Sequence, residues 1–238
     1  MNAKAWALGL ISVSLLFGTW AKADTAVTVG QANNGTCYPF DCAASDGISL
    51  YQQIYNSSAF TDAAYITSFE QTLFTDYGFG PDLLDSATYD IGFSTTPTYS
   101  LSSNPIDNIG LDYAPFGVYS LSGLSPSLLS FTGTPFFYDP SLGNLVMTVQ
   151  ISDLIQPGNP YFSFYNSDDT PINDAKNQTY KCYGTATLCT PESNAPVTTF
   201  NLTRSLPAPS PLPLFGVAAA FSFSRQARRR ISTSRSNP

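Results

Sequence analysis

The run Leu145-Val146-Met147-Thr148-Val149-Gln150-Ile151 decides the fold class. From Thr148 onward polar and apolar residues alternate, the period of two that a strand with one wet face requires. Its first three residues are apolar without a break. Turn-forming clusters stand on either side, Asp139-Pro140-Ser141-Leu142-Gly143-Asn144 before it and Gln156-Pro157-Gly158-Asn159-Pro160 beyond it. Gly, Pro, Asn and Asp supply the backbone angles and local hydrogen bonds on which turns depend.

Outward from this strand the same signature recurs. Strands are expected at Ala26–Gln31, Ala64–Phe69, Ala87–Ser94, Phe116–Leu121, Pro135–Tyr138, Leu145–Ser152, Tyr161–Asn166, Gln178–Tyr183 and Val197–Leu202. Ile48 to Phe60 is expected to form a short helix, because Leu50, Ile54 and Tyr55 recur at helical spacing. The chain holds 14 Tyr and 17 Phe but only 11% charged residues, and aromatic side chains pack well on pleated surfaces. Many short strands with regular turns predict an all-β body, a β-sandwich of jelly-roll type.

The four cysteines come as two close pairs. Cys37 and Cys42 flank Tyr38-Pro39-Phe40-Asp41, and Cys182 and Cys189 flank six residues. Three disulfide connectivities are open, of which two local bridges are preferred. Each would close a small loop, worth about 2–2.5 kcal/mol in the chain-entropy treatment. A four-thiolate metal site is the alternative, but its paired cysteines usually stand two to four residues apart, closer than the second pair does.

No histidine occurs anywhere. That excludes Ser-His-Asp and Cys-His catalysis, which rely on an imidazole base near neutral pH, and His-based zinc sites. Gly78-Phe79-Gly80 runs into Pro81 and reads as a turn, not a phosphate loop. A glycosidase needs two facing carboxylates, and no motif selects a pair here. The acidic cluster Asn166-Ser167-Asp168-Asp169-Thr170-Pro171-Ile172-Asn173-Asp174 lacks the frame of an EF-hand. It reads as an Asx-rich surface turn; the alternative is a structural Ca²⁺ held by Asp168, Asp169 and Asp174. No other cofactor is expected.

Both termini read as address labels. Met1 to Ala23 has Lys4, an apolar run from Ala5 to Gly18, and an Ala21-Lys22-Ala23 cleavage site, the three-part layout of a secretory signal. At the other end Leu206-Pro207-Ala208-Pro209-Ser210-Pro211-Leu212-Pro213 leads into the apolar stretch Leu214 to Ser224, followed by Arg225, Arg228, Arg229 and Arg230. A basic cluster behind an apolar stretch is held on the cytoplasmic side. Leu212 to Ser224 is 13 residues, against roughly 20 for a full span, which suits a transient stop better than a permanent anchor. Three segments are therefore expected: a signal helix over 1–23, a sandwich domain over 24–205, and a tail with a short apolar helix over 206–238.

This tail resembles the PEP-CTERM sorting signal of the cyanobacterial type, with Ala208 where the motif carries its acidic residue. Tyr51-Gln52-Gln53-Ile54-Tyr55-Asn56-Ser57-Ser58-Ala59-Phe60, Phe93-Ser94-Thr95-Thr96 and Phe137-Tyr138-Asp139-Pro140-Ser141-Leu142-Gly143-Asn144-Leu145 are similar, in the same order, to segments of proteins bearing that signal. The resemblance implies an exported protein, transiently anchored in the inner membrane and handed to an exosortase-type membrane protease. It implies no catalytic residue.

With both labels removed the body keeps all 17 acids but only Lys176, Lys181 and Arg204, a net charge of −14. Such a body repels nucleic acid, whose binding draws on basic surface. The expected function is that of a cell-surface or extracellular-matrix protein without catalytic activity. The alternative is a carbohydrate-binding module for exopolysaccharide, with Tyr161, Tyr165, Tyr180 and Tyr183 as candidates on the wet side.

Overall fold

The computed structural model describes residues 25–75, 82–155, 163–168, 179–185 and 187–204, with the backbone alone at 179–182 and 191. The expected signal segment and sorting tail lie outside these residues. Among the described residues no helix is long and apolar enough to cross a membrane.

Among the described residues the body is all-β, and every strand pairing is antiparallel. One sheet has four strands in the order β1 (Thr25–Val29), β13 (Thr198–Thr203), β4 (Ala64–Thr72), β7 (Leu128–Tyr138). The other has six: β11 (Cys189–Glu192), β10 (Thr179–Gly184), β3 (Leu50–Tyr55), β8 (Asn144–Ile155), β5 (Leu83–Thr96), β6 (Ala114–Leu124). A small third sheet joins β12 (Ala195–Pro196), β9 (Tyr165–Asp168) and β2 (Asn34–Thr36).

Aromatic residues at alternate positions hold the two large sheets face to face. Phe200, Phe69 and Phe131 stand side by side in register across β13, β4 and β7. Across the core Phe200 meets Tyr55 at 4.8 Å and Phe93 at 6.2 Å, while Phe69 meets Phe93 at 5.9 Å between ring centroids. Each of these rings is wholly or almost wholly buried, and burying one such side chain stabilises the fold by about 1.5–3 kcal/mol.

The quoted run lies in β8, between β3 and β5. Leu145, Met147, Val149 and Ile151 enter the core, and Gln150 is exposed. Val146 and Thr148 point the other way yet are buried, because the loop of residues 97–113 folds over that part of the outer face. Gln52 Nε2 donates to Pro105 O (3.0 Å), Asn108 Nδ2 donates to Gln52 Oε1 (2.8 Å), and Leu101 packs with Ile54, Val146 and Cys189. The unbroken apolar start of the run records this cover.

The expected helix over 48–60 is corrected: the segment forms strand β3 and a single 3₁₀ turn at Ser57–Ala59. All six residues of β3 are buried. Gln52 and Ile54 lie under the 97–113 loop, whereas Tyr51, Gln53 and Tyr55 face the other sheet. A strand covered on both faces loses its period of two, so Leu50, Ile54 and Tyr55 kept only a chance helical spacing. Its two glutamines mimic a wet face but are hydrogen-bonded inside; Gln53 Oε1 accepts from Tyr51 (2.8 Å) and Gln53 Nε2 donates to Pro196 O (2.7 Å).

Candidate functional site

The disulfide between Cys37 and Cys42 closes a loop whose residues take three directions. Phe40 enters the core, with ring contacts to Tyr89 at 5.1 Å and Phe131 at 5.0 Å. Tyr38, which precedes a cis proline peptide, turns outward and stacks on Tyr183 at 4.8 Å and 12°. The Tyr38 hydroxyl donates to Asp46, and the Tyr183 hydroxyl donates to Glu192 Oε1 at 2.6 Å. Both tyrosines titrate above their ordinary range, Tyr38 through burial and the Asp46 bond, Tyr183 (pushed up to about 12) through its Glu192 bond.

Asp41 turns inward and is 1% exposed. Its Oδ2 accepts the N–H of Ser163. Ser163 Oγ bonds Ser125 Oγ at 2.7 Å and also accepts the N–H of Asp82 at 2.9 Å. Asp85, equally buried, sits where the pairing of β5 with β6 slips between Leu84 and Ala87. A bulge of this kind re-aims a side chain, and Asp85 Oδ2 here accepts the N–H of Ala44 (2.8 Å) in α1 (Ala43–Asp46), the helical turn that follows the disulfide. The Tyr89 hydroxyl donates to Phe40 O at 3.1 Å. Asp41 Oδ1 is buried without a hydrogen bond of ordinary geometry, and the Tyr165 hydroxyl has Ser125 beside it.

Burial pushes the Asp41 carboxyl up to about 7; the Ser163 N–H opposes this, and the neighbouring Asp85 charge adds to it. Burial also raises Asp85, against the N–H groups of Ala44 and Ala43. A buried carboxylate normally acquires a cationic partner. Arg204, the one basic side chain among the described residues, pairs instead with Asp62.

A second feature lies on the outer face of the six-stranded sheet, where the 97–113 loop stops. Val118, Asp90 and Gln150 stand in one row across β6, β5 and β8, and Ser120, Thr88 and Ser152 in the next. Tyr113 closes one end of this open strip. Its ring lies over Gly92, where an added Cβ would come within 2.4 Å of the hydroxyl oxygen. Tyr113 is 38% exposed, and burial followed by the Asp90 charge raises its titration. An aromatic ring beside an amide, a carboxylate and several hydroxyls offers both stacking and hydrogen bonds to a polyhydroxylated ligand.

Asp168 is 3% exposed, and its Oδ2 accepts the N–H of Gln31 at 2.9 Å, fastening the end of β1 to β9. Its proposed Ca²⁺ partners Asp169 and Asp174 lie outside the described residues, as do Pro207, Ala208, Pro209, Arg225, Arg228, Arg229 and Arg230. Cys189 is disulfide-bonded and shares the β10–β11 hairpin with Cys182, whose side chain is not among those described. Of the tyrosines expected on the wet side, Tyr165 is corrected: it is fully buried. Tyr183 is half-buried, while Tyr161 and the side chain of Tyr180 lie outside the described residues.

Sequence reasoning missed Asp41 and Asp85. Asp41 is enclosed by the cysteine loop, and Asp85 interrupts the apolar run Leu83-Leu84-Asp85-Ser86-Ala87. An acid inside an apolar run entering a strand was the available signal. No protein-family model matches the chain, and no curated protein or solved structure matches it significantly.

Proposed function

We propose that this chain is an exported cell-surface or extracellular-matrix protein that carries out no reaction. The signal over 1–23 sends it out, and an exosortase-type membrane protease acts on the tail over 206–238 while the chain is held in the inner membrane. The observation that carries this reading is the Cys37–Cys42 disulfide in the folded body, since such bonds persist in oxidising compartments. The sandwich is of jelly-roll type in this proposal, with the strand orders β1-β13-β4-β7 and β3-β8-β5-β6 as its support. These eight strands cross repeatedly between two sheets, the connection of two Greek keys.

Cell fractionation with tail variants tests the sorting. Replacing Arg225, Arg228, Arg229 and Arg230 by Ser is expected to abolish retention at the membrane and shift the protein into the medium. Unchanged fractionation would refute the role of the tail.

A second reading, binding of an uncharged exopolysaccharide, is favoured by the Tyr113, Asp90 and Gln150 strip. Here Tyr113→Ala is expected to weaken binding on a polysaccharide array about tenfold or more, the scale of losing the apolar contact of one aromatic ring. An array with no bound glycan class removes this reading and leaves the structural one.

A further inference from the structure

The carboxyls of Asp41 and Asp85 come from distant parts of the chain and converge beside the disulfide loop. We propose that they form one proton-binding site, a clasp that fastens the loop 37–42 and α1 to the bulge in β5 and loosens as the medium turns alkaline.

Both residues are 1% exposed. Asp41 accepts the N–H groups of Ser163 and Asp85, and Asp85 those of Ala44 and Ala43, so the two residues adjoin. Asp41 Oδ1 has no hydrogen bond of ordinary geometry, and the Tyr165 hydroxyl beside it turns to Ser125. A proton on Asp41 removes one buried charge from a site that no described basic side chain offsets, and an uncompensated buried charge is costly.

The groups around the pair agree in sign. Asp46 on α1 acts on Asp85, and Tyr89 on β5 and Tyr165 on β9 feel the charge of Asp41. Asp82, at the start of β5, turns its Oδ1 to the N–H of Leu83. Among the described residues these elements present no basic side chain to the pair; Arg204 is engaged with Asp62. Two carboxylates in one dry site cannot both ionise freely, so the folded state retains a proton that the unfolded chain gives up.

A carboxyl raised by folding binds its proton more tightly in the folded state, so its stabilisation is complete below the ordinary carboxyl range. It fades as pH rises through the folded value, near 7 for Asp41. Asp139, lowered by its Ser141 bonds, loses its contribution only at pH below the ordinary range, outside this window. Stability therefore falls between pH 5 and pH 8, the reverse of common acid denaturation.

The test is urea unfolding of the full-length, disulfide-bonded protein at pH 5, 6, 7 and 8 at constant ionic strength. The folding constant is expected to fall about tenfold or more across that range, the equivalent of one pKa unit or above. Asp41→Asn is expected to flatten the profile and Asp85→Asn to reduce its slope. A profile that is flat or rises with pH, or an Asp41→Asn protein that keeps the wild-type slope, overturns the proposal. Should either variant fail to fold, carboxyl ¹³C titration of the wild-type protein decides instead. An aspartate titrating near neutrality supports the clasp; all aspartates titrating in the ordinary range refutes it.

Discussion

At the residue scale the fold leans on a few rings, and Phe200 is one of them. It is fully buried and meets Tyr55, Phe60, Phe69 and Phe93 within 6.3 Å. Phe200→Ala is expected to destabilise the body by about 3–5 kcal/mol, the usual cost of truncating a buried aromatic, as read by urea unfolding. Gly92→Ala has a different expected outcome: the new Cβ would meet the Tyr113 ring, so Tyr113 must leave its place over the strand. Tyrosine fluorescence and array binding are expected to change more than stability does. Aromatic content and turn chemistry made the strand-rich class legible in the sequence, but not which rings are inside: Tyr165 reads as a wet-side residue and is fully buried. The polar interior was not legible, since Gln52, Gln53, Asp41 and Asp85 carry wet-face chemistry and only tertiary contacts bury them.

At the element scale the disulfide loop and the 97–113 loop do most to shape the surface. Cys37→Ser with Cys42→Ser is expected to lower stability by about 2 kcal/mol, the chain-entropy value for so short a loop. The same change is expected to free Tyr38 from Tyr183. A double variant as stable as the wild type would show that the core contacts of Phe40 hold the loop unaided. The 97–113 loop explains the two ways in which the sequence reads. β8 was legible from Thr148 onward because its far end is covered on one face only. β3 was not, because that loop and the opposite sheet cover both of its faces, leaving no alternation. Asp41 meets Ser163 across 122 residues of chain, and no local pattern encodes so distant a contact.

At the scale of the whole molecule, an antiparallel body built on aromatic rings carries all 17 acidic residues of the chain, and the segments on either side of it are the address labels of the proposed function. The all-β class was legible because periodicity and turns are local properties. The way the sheets interleave is set by pairings far apart in sequence, such as Thr25 with Leu202. Export, sorting and the disulfide belong to one account, and the intact mass of the protein recovered from the cell surface or medium tests all of it at once. The account predicts a chain that begins at Asp24, ends before Leu212 and contains no free thiol. A reduced chain from the cytosol that still carries Met1 and Pro238 would contradict it.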